Sequence, residues 1–168
     1  MLVGGGRVGS FVAQALVEKS DTARRNGIGN YQTSSRNHLK IVDSNYEHCK
    51  LLAERFPNAV IINSDISEEG FFDEEDLSIN DLIITTTNNP ELNILVAIYA
   101  KTLGIKRSIS LVNKFNYLSV ATHFGADVII SPQYSVVNAI LKFIRRGKVK
   151  SVSSIFSGHA EVIESTLD

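Results

Sequence analysis

This 168-residue sequence has one cysteine, a net charge close to zero and no long apolar run. The single cysteine, Cys49, excludes an intrachain disulfide and a metal site built from several cysteines. A formal net charge of -1 at pH 7 gives no overall field to attract nucleic acid or acidic lipid, so no nucleic-acid partner is expected. No segment resembles a signal peptide or a run of about 18 apolar residues. The composition therefore predicts a cytoplasmic globular domain.

Short stretches rich in Ile and Val alternate with amphipathic segments along the chain. The stretches are LKIVD (39–43), AVIIN (59–63), DLIITTT (81–87), RSISLV (107–112) and ADVIIS (126–131). The segments between them carry apolar residues at helical spacing, and Cys49 falls in one of them as a structural thiol. Parallel strands cannot be joined by tight hairpins, so the alternation predicts a Rossmann-like, doubly wound α/β fold with a parallel sheet of about six strands.

Two segments depart from this rhythm. Residues 20–37 are polar and show neither helical nor strand periodicity, which predicts a surface insertion after the first helix. Beyond Ile144 the pattern changes to that of two strands. We therefore expect a nucleotide-binding domain over residues 1–147 and, over residues 148–168, a linker with the truncated start of a second subdomain. The first strand has few residues before the glycines, where about five are usual, so a fragment of a longer protein is expected.

The segment VGGGRVG matches the pattern G-x-G-x-x-G at Gly4, Gly6 and Gly9. In such a loop the first glycine allows a tight turn, the second lets the backbone approach a pyrophosphate, and the third lets the helix pack closely. The first turn of that helix offers N–H groups and a partial positive charge to phosphates. Arg7 is its first side chain, and it either reaches a phosphate or faces solvent.

The acid that this motif requires is Asp43, at the end of the next predicted strand. A carboxylate there accepts both ribose hydroxyls of an adenosine and repels a 2′-phosphate, which favours NAD(H) or an unphosphorylated adenine nucleotide over NADP. The interval from the glycines exceeds the usual value of about 20 residues, and the insertion at 20–37 explains the excess. Asp65, after the third strand, either meets the adenine amino group or forms an Asx turn.

The loop TTTNNP follows the fourth strand, which lies beside the first in a sheet of order 3-2-1-4-5-6. Thr86, Thr87 and Asn88 should therefore border the same crevice, although threonines also suit the end of a buried strand. Asn89 is expected to cap the following helix, with Pro90 at its first position.

Groups for hydride chemistry are not evident. The four histidines, His38, His48, His123 and His159, are predicted in a loop, two helices and the tail, none at the carboxyl end of a strand. A Tyr-x-x-x-Lys pair is absent, since Tyr99 is followed by Leu103. Lys114 follows the fifth strand, so an active site is unsupported and not excluded. We predict no catalytic residue and no metal site. For the acidic segment EEGFFDEED, a solvated turn with two phenylalanines docked on the core is favoured over a cation site.

Several segments together resemble RCK domains, also called KTN domains, which are the nucleotide-binding regulatory domains of potassium uptake and channel systems. They are VGGGRVG, IVDSN, NSD, DLIITTTNNPELNILVAIYAKTLG, SLVN, GADVIISP and VVNAILKFIRRGKVKSVSSIFSGHAEVIE. The likeness is greatest to the second of the two tandem repeats in Trk-type regulatory subunits. The predicted nucleotide-binding residues are Gly4, Gly6, Arg7, Val8, Gly9, Asp43, Ser44, Asp65, Ile66, Thr86, Thr87 and Asn88. Of these, the resemblance places Gly4, Gly6, Arg7 and Gly9 at the phosphates, Asp43 at a ribose, Asp65 at the adenine, and Thr86 and Thr87 by the phosphates and second ribose.

The resemblance implies a function without catalysis. Ligands in the family include NADH, NAD, ATP and ADP, and the domains form homo-oligomers, dimers or higher rings, beneath a membrane-embedded potassium transporter on the inner face of the cell membrane. Residues 135–146 match the helix used for dimer contacts, and its apolar side chains exceed what one domain readily buries; a fully buried terminal helix is the alternative. The prediction is a regulatory domain that senses NAD(H), ATP or ADP, and the alternative is a fragment of an NAD-dependent oxidoreductase.

Overall fold

The computed structural model describes residues 1–25, 39–68, 70–75, 80–113, 117, 125–144, 149–155 and 160–165. The strands within these ranges are β1 (Leu2–Val3), β2 (Lys40–Asp43), β3 (Val60–Asn63), β4 (Leu82–Thr85), β5 (Arg107–Leu111), β6 (Val128–Ile130), β7 (Val149–Ile155) and β8 (Ala160–Ser165). The helices are α1 (Arg7–Arg25), α2 (Tyr46–Arg55), α3 (Phe71–Glu74), α4 (Pro90–Thr102) and α5 (Pro132–Ile144).

Strands β1 to β6 form one parallel sheet in the order β3-β2-β1-β4-β5-β6. This confirms the predicted doubly wound fold, the six strands and the placing of β4 beside β1. The chain leaves β1 toward β2 on one side and later enters β4 on the other, so the strand order reverses at β1. A crevice at the carboxyl ends of the strands is expected at such a point.

Both faces of the sheet are covered, which explains why its strands read as continuous apolar runs. One core cluster joins Leu2 and Ile41 to Ala13 of α1 and Leu52 of α2. The cluster on the other face contains Val3, Val42, Ile83, Phe71 and Val96, with α3 and α4 packed over the strands. In β1, β2 and β4, successive residues thus point to opposite clusters.

Helix α1 is longer than the sequence pattern predicts. The loop expected over residues 20–37 is wrong for residues 20–25, which continue α1 to Arg25. This end of the helix is exposed at Glu18, Lys19 and Thr22, so it needs no apolar stripe. Thr22 Oγ1 donates a hydrogen bond to the Glu18 carbonyl oxygen at 2.8 Å. Alanine and arginine favour the helix without any such stripe. Residues 26–37 lie outside the described part of the chain.

The acidic segment follows the expected packing. Phe71 is buried in the core and Phe72 packs against it, as predicted, within the short helix α3 that follows Gly70. Among the described helices, none has the length and apolar character needed to cross a membrane.

The last described segments form a separate unit of secondary structure. β7 and β8 pair with each other, antiparallel, in a two-stranded sheet outside the six-stranded one. This confirms the two strands predicted after residue 148, while the subdomain to which they belong stays a prediction. In α5, which precedes them, the side chains of Val136, Val137 and Ile140 are 58%, 50% and 52% exposed. The alternative of a fully buried terminal helix is therefore wrong for these three residues.

Candidate functional site

A cavity of about 380 Å³ opens at the carboxyl ends of β1 to β4. Nine of the twelve predicted binding residues line it, and these are Gly4, Gly6, Asp43, Ser44, Asp65, Ile66, Thr86, Thr87 and Asn88. Arg7, Val8 and Gly9 are not in its lining; all three belong to the first turn of α1, where Arg7 and Val8 are exposed and Gly9 is buried. The predicted residues thus converge from four strand ends, with the glycine loop in the middle.

The three glycines of the motif have different reasons to lack a side chain. Gly4 has a φ of +91°, and a Cβ on it would lie 2.8 Å from the backbone nitrogen of Thr87. A Cβ on Gly9 would overlap the carbonyl oxygen of Gly4, which shows how closely α1 packs on the loop. Gly6 differs, because a Cβ there would meet no atom within 4 Å. Packing requires Gly4 and Gly9, whereas Gly6 leaves open space beside the cavity.

The buried hydroxyl of Thr86 fixes the glycine loop to β4. Thr86 Oγ1 donates to the carbonyl oxygen of Gly4 at 2.8 Å, and the backbone N–H of Thr86 donates to Val3 at 2.7 Å. From the helix side, Ser10 Oγ lies 2.8 Å from the Gly5 carbonyl oxygen. Hydrogen bonds thus hold the loop from both sides.

The carboxylate of Asp43 is oriented by the backbone around it. Its Oδ2 accepts a hydrogen bond from the N–H of Gly5 at 2.6 Å, and its Oδ1 accepts one from the N–H of Asn45 at 2.8 Å. An ionised carboxylate has about four lone-pair sites, so each oxygen can accept another bond. The side chain is only 11% exposed, and the free sites belong to a residue that lines the cavity. This is the arrangement that the two hydroxyls of a ribose require.

Cys49 packs against the backbone of Asp43 and is a structural thiol, as predicted. Its Sγ is 3.3 Å from the carbonyl oxygen of Asp43 and its side chain is buried. Burial and the nearby charge of Asp43 raise the pKa of the Cys49 thiol, which keeps it protonated and unreactive.

His48 is a lining residue that the sequence interpretation missed. It lies in a helix, as predicted, but in the first turn of that helix, α2, and its Nδ1 is 3.6 Å from Oδ1 of Asp43. Asn45 caps this turn by accepting the N–H of His48 at 3.0 Å. A helix that follows a parallel strand begins at the carboxyl edge of the sheet, so its first turn faces the crevice. That rule is the signal that could have identified His48.

Asp65 forms the Asx turn that its sequence position allowed, while its contact with adenine stays a prediction. Its Oδ1 accepts the backbone N–H of Ser67 at 2.9 Å and the Ser67 hydroxyl at 2.7 Å, an Asx turn. These two hydrogen bonds lower the pKa of Asp65. Asp65 also lines the cavity, beside Ile66, whose side chain is 3% exposed and belongs to the core. Asp65 thus keeps its charge at the cavity wall.

On the far side of the cavity, Thr87 is bonded to Asn93 of α4, another residue that the sequence did not reveal. Thr87 Oγ1 and the Thr87 backbone N–H lie 2.7 and 3.0 Å from Asn93 Oδ1. Asn89 accepts the N–H of Leu92 at 2.9 Å and Pro90 begins the helix, which confirms the predicted cap.

Titratable side chains are unevenly distributed along the described cavity wall. Asp43, His48 and Asp65 all follow β2 or β3. The wall that follows β4 has only Thr86, Thr87, Asn88, Asn89 and Leu92 among the described lining residues. The cavity therefore offers carboxylates at one end, backbone around the glycines, and neutral polar groups at the other end.

A parallel sheet with this strand order and a glycine loop at its switch point is characteristic of Rossmann-type nucleotide-binding domains. The model of the TrkA-N domain family matches residues 1–132 of the chain. The chain belongs to the TrkA-N family.

Curated relatives extend the match to nearly the whole chain. The Trk system potassium uptake protein TrkA of Azorhizobium caulinodans is 32% identical over 162 residues, which are 96% of this chain and 32% of that protein. The protein of the same name from Vibrio alginolyticus is 31% identical over 165 residues, 98% of this chain and 32% of its own length. The chain spans about a third of the length of these relatives.

Two solved structures share the fold. The TrkA-N domain of the inner membrane protein ybaL from Escherichia coli has a TM-score of 0.68 at 17% identity, over 85% of this chain and 93% of that domain. The NAD(P)-binding domain of an exopolyphosphatase-related protein from Archaeoglobus fulgidus has a TM-score of 0.64 at 16% identity, over 87% and 97%. At such identities the likeness concerns the fold alone.

Proposed function

We propose that the chain is a nucleotide-sensing regulatory domain of a potassium uptake system, and that it holds NAD(H), or alternatively ATP or ADP, in the cavity beside the glycine loop. The observation that carries this proposal is the pre-oriented carboxylate of Asp43, which faces the same cavity as the open position at Gly6. Ribose and phosphate need these two features side by side. The names of the TrkA relatives supply the connection to potassium uptake.

The order of the groups along the cavity supports one direction for the proposed ligand. Adenine lies by Asp65 and Ile66, and its ribose donates two hydrogen bonds to Asp43. The diphosphate passes Gly6, where no Cβ intrudes, and meets the N–H groups at the start of α1. The remainder of the ligand extends toward Thr87. Arg7 is exposed beside this path and approaches the phosphates from the solvent side.

The wall at Thr87 supports sensing over catalysis. The reacting end of a dinucleotide would lie on this side, where the described lining residues include no titratable side chain. Hydride transfer to a small substrate generally needs a proton donor or acceptor at that position. The alternative of an NAD-dependent oxidoreductase fragment predicts turnover of bound NADH with a small carbonyl substrate, whereas the sensor leaves NADH unchanged.

A sensor also needs two conformations with different affinities, because equal affinity for both states shifts nothing. We infer that the two states differ in how copies of the domain are assembled beneath a membrane potassium transporter, on its cytoplasmic side. The half-exposed Val136, Val137 and Ile140 of α5 supply an apolar face for contact between copies.

The decisive experiment is binding calorimetry with NADH, NAD, NADPH, ATP and ADP on the wild type and on Asp43→Ala. Leaving two ribose hydroxyls unpaired is expected to cost about 1 to 3 kcal/mol for NADH. The matched control is Asp81→Ala, because Asp81 is 82% exposed and bonded to Lys106 at the other edge of the sheet. Wild-type affinity is expected in this control, and absence of binding by the wild type to every nucleotide would refute the proposal.

Assembly is tested by light scattering after size exclusion. Val137→Glu is expected to lower the molar mass of the species in solution, since it places a charge in the apolar face of α5. Leu51→Glu on α2 is the control, because Leu51 is also exposed but lies away from that face. Co-purification of the full-length protein with a potassium transporter tests the partner, and a monomeric wild type would argue against the assembly.

A further inference from the structure

A buried side-chain amide fixes the far wall of the cavity. Asn93 is 1% exposed, and its Nδ2 donates to the carbonyl oxygens of Thr87 at 3.0 Å and of Leu111 at 2.9 Å. Its Oδ1 accepts the backbone N–H of Thr87 at 3.0 Å. Two carbonyl oxygens on one side and an N–H on the other leave a single acceptable orientation of the amide. A flipped amide would set oxygen against oxygen.

The backbone of Asn93 is held as firmly as its side chain. The hydroxyls of Thr85 and Ser110 both approach the Asn93 carbonyl oxygen, at 3.0 and 3.1 Å, and both residues have no exposed surface. The network thus joins β4, α4 and β5, and every polar group of the Asn93 side chain has a partner. Buried polar networks of this kind are costly to disturb.

The orientation of Asn93 determines whether the Thr87 hydroxyl can donate a hydrogen bond or only accept one. Thr87 Oγ1 lies 2.7 Å from Asn93 Oδ1 and 3.2 Å from the carbonyl oxygen of Asn89, and neither oxygen carries a proton. The single hydroxyl proton of Thr87 therefore points at one of these two acceptors, and the shorter distance favours Asn93. The hydroxyl oxygen also accepts the N–H of Asn89 at 3.2 Å, which leaves one lone pair free. The neighbouring Thr86 has already donated its proton to Gly4. Neither threonine hydroxyl therefore has a proton left to donate, and because the Thr86 hydroxyl is buried, the Thr87 oxygen is the one available to a ligand.

We propose that Asn93 sets the hydrogen-bonding polarity of Thr87, so that the ligand group held at this wall is itself a donor: a ribose hydroxyl or a carboxamide N–H, and not a phosphate oxygen. This inference rests on the proposed function. It deepens that function by ranking the possible ligands. A nucleotide with a second ribose can donate a hydroxyl hydrogen bond to Thr87 Oγ1, whereas the γ-phosphate of ATP has only acceptor oxygens to place beside it. Asn93 does not touch the ligand and acts as a positioning residue.

The test compares four ligands, ADP, ATP, ADP-ribose and NADH, on the variant Thr87→Val. Valine keeps the shape of threonine and removes the hydroxyl. Affinity for ADP-ribose and NADH is expected to fall roughly 3- to 10-fold, the range for one neutral hydrogen bond, while affinity for ADP and ATP is kept or rises. Thr87→Ser retains the hydroxyl and is expected to restore the ADP-ribose affinity. The matched control is Thr102→Val, at the end of α4, where the exposed hydroxyl bonds Tyr99 away from the cavity.

A second variant addresses Asn93 itself. Asn93→Leu removes the nearer of the two acceptors of the Thr87 proton and lets the hydroxyl rotate, so the ratio of ADP-ribose affinity to ATP affinity is expected to fall below the wild-type ratio in the folded protein. If Asn93→Leu does not fold, the comparison of Thr87→Val with Thr87→Ser decides. An equal loss for ADP, ATP and ADP-ribose in Thr87→Val, or unchanged ADP-ribose affinity, would overturn the inference while nucleotide binding stands. A wild type that binds none of the four would overturn the proposed function as well.

Discussion

The glycine loop allows stability and binding to be separated by two substitutions that add the same methyl group. Gly9→Ala places a Cβ in the first turn of α1, against the carbonyl oxygen of Gly4 and within 2.9 Å of the Thr86 hydroxyl oxygen. Both neighbours are held in place, since Thr86 donates to that same carbonyl oxygen. Gly6→Ala adds its Cβ where no atom lies within 4 Å.

The expected cost of Gly9→Ala follows from three contributions. Overpacking against backbone costs about 1 to 3 kcal/mol, and loss of the Thr86 to Gly4 hydrogen bond costs about 1 kcal/mol more. Replacing a helical glycine with alanine returns about 1 kcal/mol. The free energy of unfolding should therefore fall by about 1 to 3 kcal/mol. For Gly6→Ala, which meets no neighbour, the unfolding free energy should stay within about 1 kcal/mol of the wild type.

Urea denaturation followed by circular dichroism measures the stability, and calorimetry with NADH measures the binding. We expect Gly9→Ala to lose stability, and Gly6→Ala to keep its stability but bind NADH more weakly because its methyl group occupies space that the diphosphate needs. A Gly9→Ala protein as stable as the wild type would show that α1 does not pack on the loop as closely as described. Unchanged NADH affinity in Gly6→Ala would show that phosphates do not pass this glycine.

Two further predictions concern a helix cap beside the cavity and a carboxylate at the amino ends of β5 and β6. Asn89→Ala should lower the free energy of unfolding by about 1 kcal/mol, measured in urea, because the N–H of Leu92 loses its cap; an equal midpoint would contradict this. Burial alone would raise the pKa of Asp127, but hydrogen bonds from Lys101 and the Ser108 backbone lower it below its ordinary value of 3.8. Its stabilising effect is thus present at neutral pH and lost as the pH falls below about 4, so Asp127→Asn should show a shallower acid dependence of stability than the wild type.

The fold and most of the cavity could be predicted from the sequence because their signals are local. Runs such as LKIVD show a buried strand, and the residue at the end of a parallel strand must lie at the carboxyl edge, which places Asp43, Asp65 and Thr86 at one crevice. The glycine spacing likewise indicates a turn and the start of a helix within a few residues. These signals need no knowledge of distant partners.

The features that the sequence did not reveal depend on such partners. Asn93 resembles any polar residue of a helix until Leu111 and Thr87 are placed on either side of it, and only then is its amide orientation determined. His48 was assigned to a helix correctly, but its approach to Asp43 depends on where the helix begins. The sequence underestimates the length of α1 because an exposed helical end has no apolar periodicity and its polar composition resembles that of a loop.

The direction of α1 has a consequence for variation within the family. α1 begins at the glycine loop and runs back along the sheet, so Arg25, its last residue, and Lys40, the first residue of β2, are at the edge opposite the cavity. Chain added between these two points is attached far from the nucleotide groups, and the entropy of closing a longer connection grows only slowly with its length. This junction is therefore a place where evolution can change the length of the domain, or where an engineer can insert a reporter domain, without altering the cavity.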